Sequence, residues 1–311
     1  MKNVVVIGGG HGQSAILKGI KDLEDVNIST IVTVADDGGS TGRLRAMYDV
    51  PAMGDIRNVL VALSKSDNFL TSLMDFRFSG EEETDVVGHN LGNLILTALT
   101  QMRGSFVDAI EETSALMEVK GEVVPSSLEV ISLYAIMDDD TIVKGEANIP
   151  SFNHHIKKVF YDHEVKAYDK AVQRVLEADL IIYGIGSVYT SILPNIIIPD
   201  IQKALKETKA TKVYFANCMT QNNETFDYDL KDHIDALESH GAIIDLVVKH
   251  KEVIPFYILS RYLKQNSVEV LDKGVDKKVL SYDLLDFSKG LVRHDSEKIK
   301  KVVEELLERY I

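Results

Sequence analysis

The 311-residue chain carries 34 Lys+Arg against 48 Asp+Glu, a formal charge of −14, with 45% hydrophobic residues, one Cys and no Trp. At about 150 residues per domain this is one large α/β domain with room for a sizeable core. The acid excess excludes a protein built mainly to hold a nucleic-acid backbone, which needs a basic field, and the lone Cys218 excludes an intramolecular disulfide.

The N-terminus runs from Met1 and Lys2 into VVVIGGG, too short an apolar run for a secretion signal. The most apolar stretch, 180–199, is broken by Gly184, Gly186, Ser187, Pro194 and Pro199, so no membrane anchor is expected and the expected location is the cytoplasm. An acidic protein can still bind an anion where backbone N–H groups and a few Arg make the potential locally positive.

In chain order, NVVVI (3–7) predicts a buried strand, GGGHG (8–12) a glycine loop and SAILKGIKDL a helix; ISTIVTVA (28–35) predicts a second strand, completing β-α-β. Residues 54–120 show three- and four-residue apolar spacing in GDIRNVLVALS, NFLTSLMDFRF, LGNLILTALTQM and SFVDAIEETSALM, which predicts a helical insertion. From 122 to 160 the period becomes strand-like, with the turn Asp138-Asp139-Asp140 between LEVISLYAIM and TIVKGEANI, which predicts a β-meander insertion. Alternation then resumes: a helix at 166–177, strand 178–183, loop 184–191, a helix from Pro199, strand 213–216, helix 230–239 and strand 243–248. The closing SEKIKKVVEELLERYI is an amphipathic helix capped by Asp295 or Ser296. The whole reads as a single doubly wound, mainly parallel, Rossmann-like α/β domain over 1–311.

Four segments can carry chemistry. Gly8, Gly9, Gly10, His11 and Gly12 place bare N–H groups between a strand and a helix, where the helix dipole favours an anion. Gly10-x-Gly12-x-x-Ala15 fits the dinucleotide pattern only in part. Asp36, Asp37, Gly38, Gly39, Ser40 and Arg43 follow the second strand at the same sheet edge; the carboxylates can accept ribose or sugar hydroxyls or hold magnesium. Gly184, Gly186, Ser187, Thr190 and Ser191 form a second phosphate-type loop. Asn217 ends a strand, Asn93 opens a helix in GHNLGN, and Arg293 can contact a diphosphate through its fork. Asp55 reads as a helix N-cap, His89 as a hydrogen-bonding histidine without zinc partners, and Cys218 as a buried, inert thiol. Arg43, Arg45, Arg57 and Arg293 all fall in or beside these segments, so the scarce positive charge is expected at the carboxyl edge of the sheet.

From Val4 to about Asp295 the chain resembles the family that unites the gluconeogenesis factor YvcK and the 2-phospho-L-lactate transferase CofD. The resemblance is carried by VVVIGGGHGQS, IVTVADDGGSTGRLR, GDIRNVLVALS, GHNLGNL, GEANI, ADLIIYGIGSVYTSILPN, MTQ, DHIDAL and LVRHD, and is greater to the YvcK branch. The chain departs from the usual pattern at His11, Gln13, Ile185 and Asn222-Asn223, where the family has Thr, a small apolar residue, Pro and Pro-Gly. The YvcK branch implies a cytoplasmic binder of UDP-sugars, notably UDP-N-acetylglucosamine, needed for cell shape and for growth on gluconeogenic carbon. The CofD branch implies magnesium-dependent transfer of a phospholactyl group from a nucleotide diphosphate donor.

The leading expectation is therefore a nucleotide-sugar-binding regulator without turnover, since no nucleophile stands beside an evident base in the sequence. The two glycine loops, with Thr190, Ser191 and Arg293, would hold the diphosphate, and Asp36 and Asp37 the hydroxyls. A transferase with Asp36 and Asp37 on magnesium is the alternative. An NAD(P)-dependent oxidoreductase ranks last, because it leaves the second loop unexplained. No cofactor other than magnesium is expected, and the reading leaves a homo-oligomer and regulatory protein partners open.

Overall fold

A computed structural model describes residues 1–65, 69–80, 85–152 and 154–311. Seven parallel strands form the central sheet: β1 (Lys2–Gly8), β2 (Val26–Val32), β3 (Glu122–Pro125), β7 (Leu180–Tyr183), β8 (Thr211–Phe215), β9 (Leu246–His250) and β10 (Lys278–Tyr282), in the order β10-β9-β8-β7-β1-β2-β3. The order runs outward from β1 in both directions, so the chain switches sides between β1 and β7, where an open α/β sheet leaves a crevice at its strand ends. Register matches there: Ile7 pairs with both Ile31 and Tyr183. Val4 to Ile7 and Leu180 to Tyr183 are buried without alternation, as strands covered on both faces require.

Helix α1 (Gly10–Ile20) packs against both α3 (Gly54–Leu63) and α12 (Ser296–Tyr310), and α7 (Asp169–Leu176) against α9 (Pro199–Glu207). Between β2 and β3 run α2 (Gly39–Tyr48), then α3, α4 (Phe69–Asp75), α5 (Leu91–Arg103) and α6 (Phe106–Leu116); the last four lie in the expected helical insertion 54–120, whose positions 66–68 and 81–84 lie outside the described residues. Strands β4 (Tyr134–Met137), β5 (Ile142–Lys144) and β6 (Ile156–Phe160) make a separate antiparallel sheet in the order β5-β4-β6.

Several expectations need correction. Glu122–Pro125 is the parallel edge strand beside β2 and no part of the meander, because its register with Ser29–Val32 continues the main sheet. The LEVIS stretch is irregular, and the strand expected at 243–248 forms at 246–250. The run GSTGRLRAMY, for which apolar spacing predicts no element, is helix α2: its apolar residues are too few to mark a helical period, and Arg45 holds it in place from within. Asp55 is no cap. It sits in the first turn of α3, whose N-cap is Met53, and its carboxylate points elsewhere. Residues 251–292 also contain α11 (Phe256–Leu263) and β10, which apolar spacing did not single out. Among the described residues no helix is long and apolar enough to cross a membrane.

Candidate functional site

The two glycine loops meet at the switch point. A Cβ on Gly12 would overlap the carbonyl oxygen of Ile185 and crowd Gly186, so only glycine allows the start of α1 to lie against the second loop. Gly9 is equally constrained, by the Asp55 carboxylate and by Thr33. Helix α1 starts at Gly10, so His11 and Gly12 belong to its first turn and not to a free loop. Asn195, fully buried, donates through Nδ2 to the carbonyls of Gly8 (3.0 Å) and Ser191 (2.9 Å), tying the two loops together. Asn217 donates to the Gly186 carbonyl at 2.8 Å, and Gln13 donates to Val6, Thr30 and Ile31, clamping β1 to β2 beneath the first loop.

Each loop already holds a carboxylate. Asp55 accepts from the Gly10 N–H at the start of α1, and burial, reinforced by the charge of Asp36, pushes its pKa up to about 7. Glu224 is buried and accepts from the hydroxyls of Ser187 and Thr190, and burial alone pushes its pKa up to about 7. Two of the three hydroxyls expected to face a phosphate, those of Ser187 and Thr190, thus face Glu224. Ser187 also caps the turn 188–192, accepting from Thr190 N at 3.0 Å, and Ser191 lies beside Gly186.

A third carboxylate, Glu146, lies among the others. Burial, then the charges of Asp36, Asp55, Glu224 and Asp37, hold it well above the usual carboxylate range, and its Oε2 is buried without a hydrogen-bond partner. Asp36 accepts from Gly38 N (2.8 Å) and from Thr41, and its pKa is raised by burial. Asp37 instead accepts from Ala147 N at 3.0 Å and faces Gly145. Asp36 and Asp37 therefore diverge, and Asp36 pairs in space with Asp55. Among the described residues three ligand atoms within 4.8 Å of one another occur at the exposed Asp138, Asp139 and His154, not among the cleft carboxylates. Magnesium needs only one or two carboxylates when phosphates complete its shell, so one or two of Asp36, Asp55 and Glu146 could hold it beside a bound diphosphate.

Gly38, Gly39 and Ser40 open α2. Ser40 Oγ accepts from Asn90 N (3.2 Å) and Asn93 Nδ2 (3.4 Å), so its own proton goes to His89 Nδ1 at 3.0 Å. Sequence reasoning missed this Ser–His pair because 49 residues separate the two. Burial and the charges of Arg43 and Arg77 hold His89 below the usual histidine range, which favours the neutral ring.

The arginines are divided. Arg45 donates to the carbonyls of Ala35 (3.1 Å), Asp36 (2.7 Å) and Ile131, and Arg43 to that of Val87 (3.0 Å), so both are structural pins. Arg57 is buried, paired with Asp75 at 3.2 Å, and with exposed Arg293 flanks His11; desolvation first, then Arg57, lowers the His11 pKa. Two of the four arginines thus converge on the first loop. Glu146 and Glu224 were not singled out: Glu146 sits in GEANI, quoted for resemblance, and Glu224 three residues beyond the quoted MTQ, but single acids in polar loops carry no periodic signal.

The family model described as 2-phospho-L-lactate transferase CofD matches residues 4–284. A gluconeogenesis factor of Halalkalibacterium halodurans is 41% identical, covering 98% of this chain and 96% of its own length. The gluconeogenesis factor of Bacillus subtilis strain 168 is 39% identical, covering 98% of each. The crystal structure of a UPF0052-family protein from Bacillus halodurans superposes with a TM-score of 0.92 at 40% identity, covering 97% of this chain and 99% of that one. With its fold, its length and its motifs all matched, the chain belongs to the CofD family, on the side of the YvcK-like gluconeogenesis factors.

Proposed function

We propose that this protein is a gluconeogenesis factor that works in the cytoplasm as a regulatory receptor for a nucleotide sugar of the UDP-N-acetylglucosamine type, and that its role includes support of cell shape on gluconeogenic carbon. The observation that carries the reading is the contact of Gly12 with Ile185 and Gly186, which puts two bare loops side by side at the switch point, a fit for two linked phosphates. The carboxylates support a sugar rather than a bare phosphate, because Asp36, Glu146 and Glu224 offer acceptors to hydroxyl groups. Names of relatives at about 40% identity support the gluconeogenic role.

Thermal unfolding with UDP-N-acetylglucosamine tests it. At a hundredfold excess over Kd the ligand adds about 2.7 kcal/mol of stability. No shift with this or any other nucleotide sugar at millimolar concentration refutes the reading.

A second reading, a magnesium-dependent transferase using a nucleotide diphosphate donor, is favoured by one observation: Glu146, raised by the charges of Asp36 and Asp55, has a buried Oε2 without a hydrogen-bond partner. Magnesium there would neutralise charge building on the bridging oxygen of the donor diphosphate as the nucleoside monophosphate leaves, and the loop N–H groups would orient the donor. Nucleoside monophosphate released from donor and acceptor mixtures only with magnesium supports this reading; none released removes it.

A further inference from the structure

Phe226 stands on the turn that carries Glu224, two residues beyond it, and Glu224 is bonded to Ser187 and Thr190 of the second glycine loop. Two residues span at most about 7 Å, so the Phe226 backbone lies close to that loop. The turn has a defined shape. Asn223 and Asp227 adopt φ of 64° and 65°, the left-handed conformation that Asn and Asp take up most readily among residues with a side chain. Thr225, fully buried, accepts from Gln221 N at 3.0 Å and pins the turn from inside.

The ring has a built rear wall. His155 stacks on Phe226 at 5.1 Å between centroids and 21° between planes, and lies nearly parallel to Tyr228, at 6.2 Å and 10°. The Tyr228 hydroxyl is 2.8 Å from that of Tyr189, which belongs to the turn following the second loop. The aromatic stack is therefore fastened to the loop at two points, through Glu224 and through Tyr189. Phe226 nevertheless stays 38% exposed, an apolar ring left to solvent on a rigid support. A flat π-system laid on its open face would recover that area, as bases do on the aromatic platforms of proteins that bind single strands.

We infer that Phe226, backed by His155, is the platform on which the planar base of the nucleotide stacks while the diphosphate lies across the glycine loops. The inference rests on the nucleotide-sugar reading and adds the residue that would recognise the base.

The chain has no Trp, so Phe226→Trp introduces a single reporter at the platform. UDP is expected to quench its emission, and inorganic pyrophosphate to leave it unchanged. In calorimetry, Phe226→Ala is expected to weaken UDP and UDP-N-acetylglucosamine by about 5- to 150-fold, the range for loss of one base–aromatic stack, with pyrophosphate affinity unchanged. Equal UDP affinity in Phe226→Ala and the unaltered chain, or equal loss of UDP and pyrophosphate, overturns the platform while the nucleotide reading survives. Failure of the unaltered chain to bind any UDP ligand removes both.

Discussion

Replacing Glu224 by Gln removes an ionisable group from beneath the second glycine loop while keeping an acceptor for the Ser187 and Thr190 hydroxyls. The folded chain holds Glu224 at about 7 against an ordinary 4.5, with burial as the first cause. Because this pKa is raised, folding favours the protonated form. The cost of the charge is absent below pH 4.5, grows between 4.5 and 7, and is constant above 7. Roughly two and a half pH units at 1.36 kcal/mol each give a cost of about 3 kcal/mol at pH 8. Glu224→Gln should therefore be more stable than the unaltered chain at pH 8 by up to that amount, and the difference should vanish by about pH 4.5. Urea unfolding across pH 4.5 to 8.5 reads it directly.

The same substitution acts on ligand. An anion approaching the second loop meets the Glu224 charge at pH 8 but not at pH 6, so pyrophosphate or UDP should bind the unaltered chain more tightly on acidification. Glu224→Gln should bind more tightly at pH 8 and lose the part of the pH slope centred near 7. A variant less stable than the parent by the same amount at every pH would show that the carboxylate is ionised and compensated, and the electrostatic argument would fail.

Two further outcomes follow from the geometry of the loops and the core. Gly12→Ala drives a methyl group into the Ile185 carbonyl, so it should cost about 1–3 kcal/mol of stability by denaturant unfolding and abolish nucleotide-sugar binding; a variant that binds normally shows that the two loops need not touch. Cys218 is buried beside His294, with Sγ 3.1 Å from Nε2, and burial raises its thiol and lowers the imidazole to about 4. Ellman's reagent should leave it unreacted until the chain unfolds, and fast labelling of the native protein would contradict the buried, neutral pair.

The parts of this molecule legible in its sequence are those written in local pattern. The continuous apolar runs of β1 and β7, the glycine loops that end them and the acidic segment after β2 stand in the sequence as strand, loop and strand, and helix α10 (Leu230–Ser239) has the boundaries its spacing predicts. What was not legible depends on distance in the chain. Asp55 meets Gly10 across 45 positions, Ser187 meets Glu224 across 37, and Ser40 meets His89 across 49, pairings that no periodicity encodes. Arg45 shows the same limit from the other side. Its place beside the acidic segment put it in the positive charge expected at the sheet edge, yet a buried guanidinium must find several acceptors, and the carbonyls of Ala35, Asp36 and Ile131 supply them.

These long-range pairings change what the charge of −14 means for the cleft. A cradle for a bare polyphosphate gains most when its N–H groups are free and its basic side chains unpaired. Here the Gly10 N–H has Asp55, the hydroxyls of Ser187 and Thr190 have Glu224, Arg45 and Arg43 face carbonyls, and Arg57 faces Asp75. An anionic ligand must therefore be accompanied by compensation, either protons on carboxylates whose pKa values sit near 7 or a divalent ion among Asp36, Asp55 and Glu146. A sugar on the diphosphate adds a third route, since its hydroxyls donate to the carboxylates that repel phosphate. A ligand with two phosphates and a hydroxyl-rich ring uses both halves of the cleft, whereas a nucleoside triphosphate adds charge without adding donors. On the proposed nucleotide-sugar reading, the acidic lining is therefore expected to favour nucleotide sugars over free nucleotides, a selectivity that the glycine loops alone would not produce.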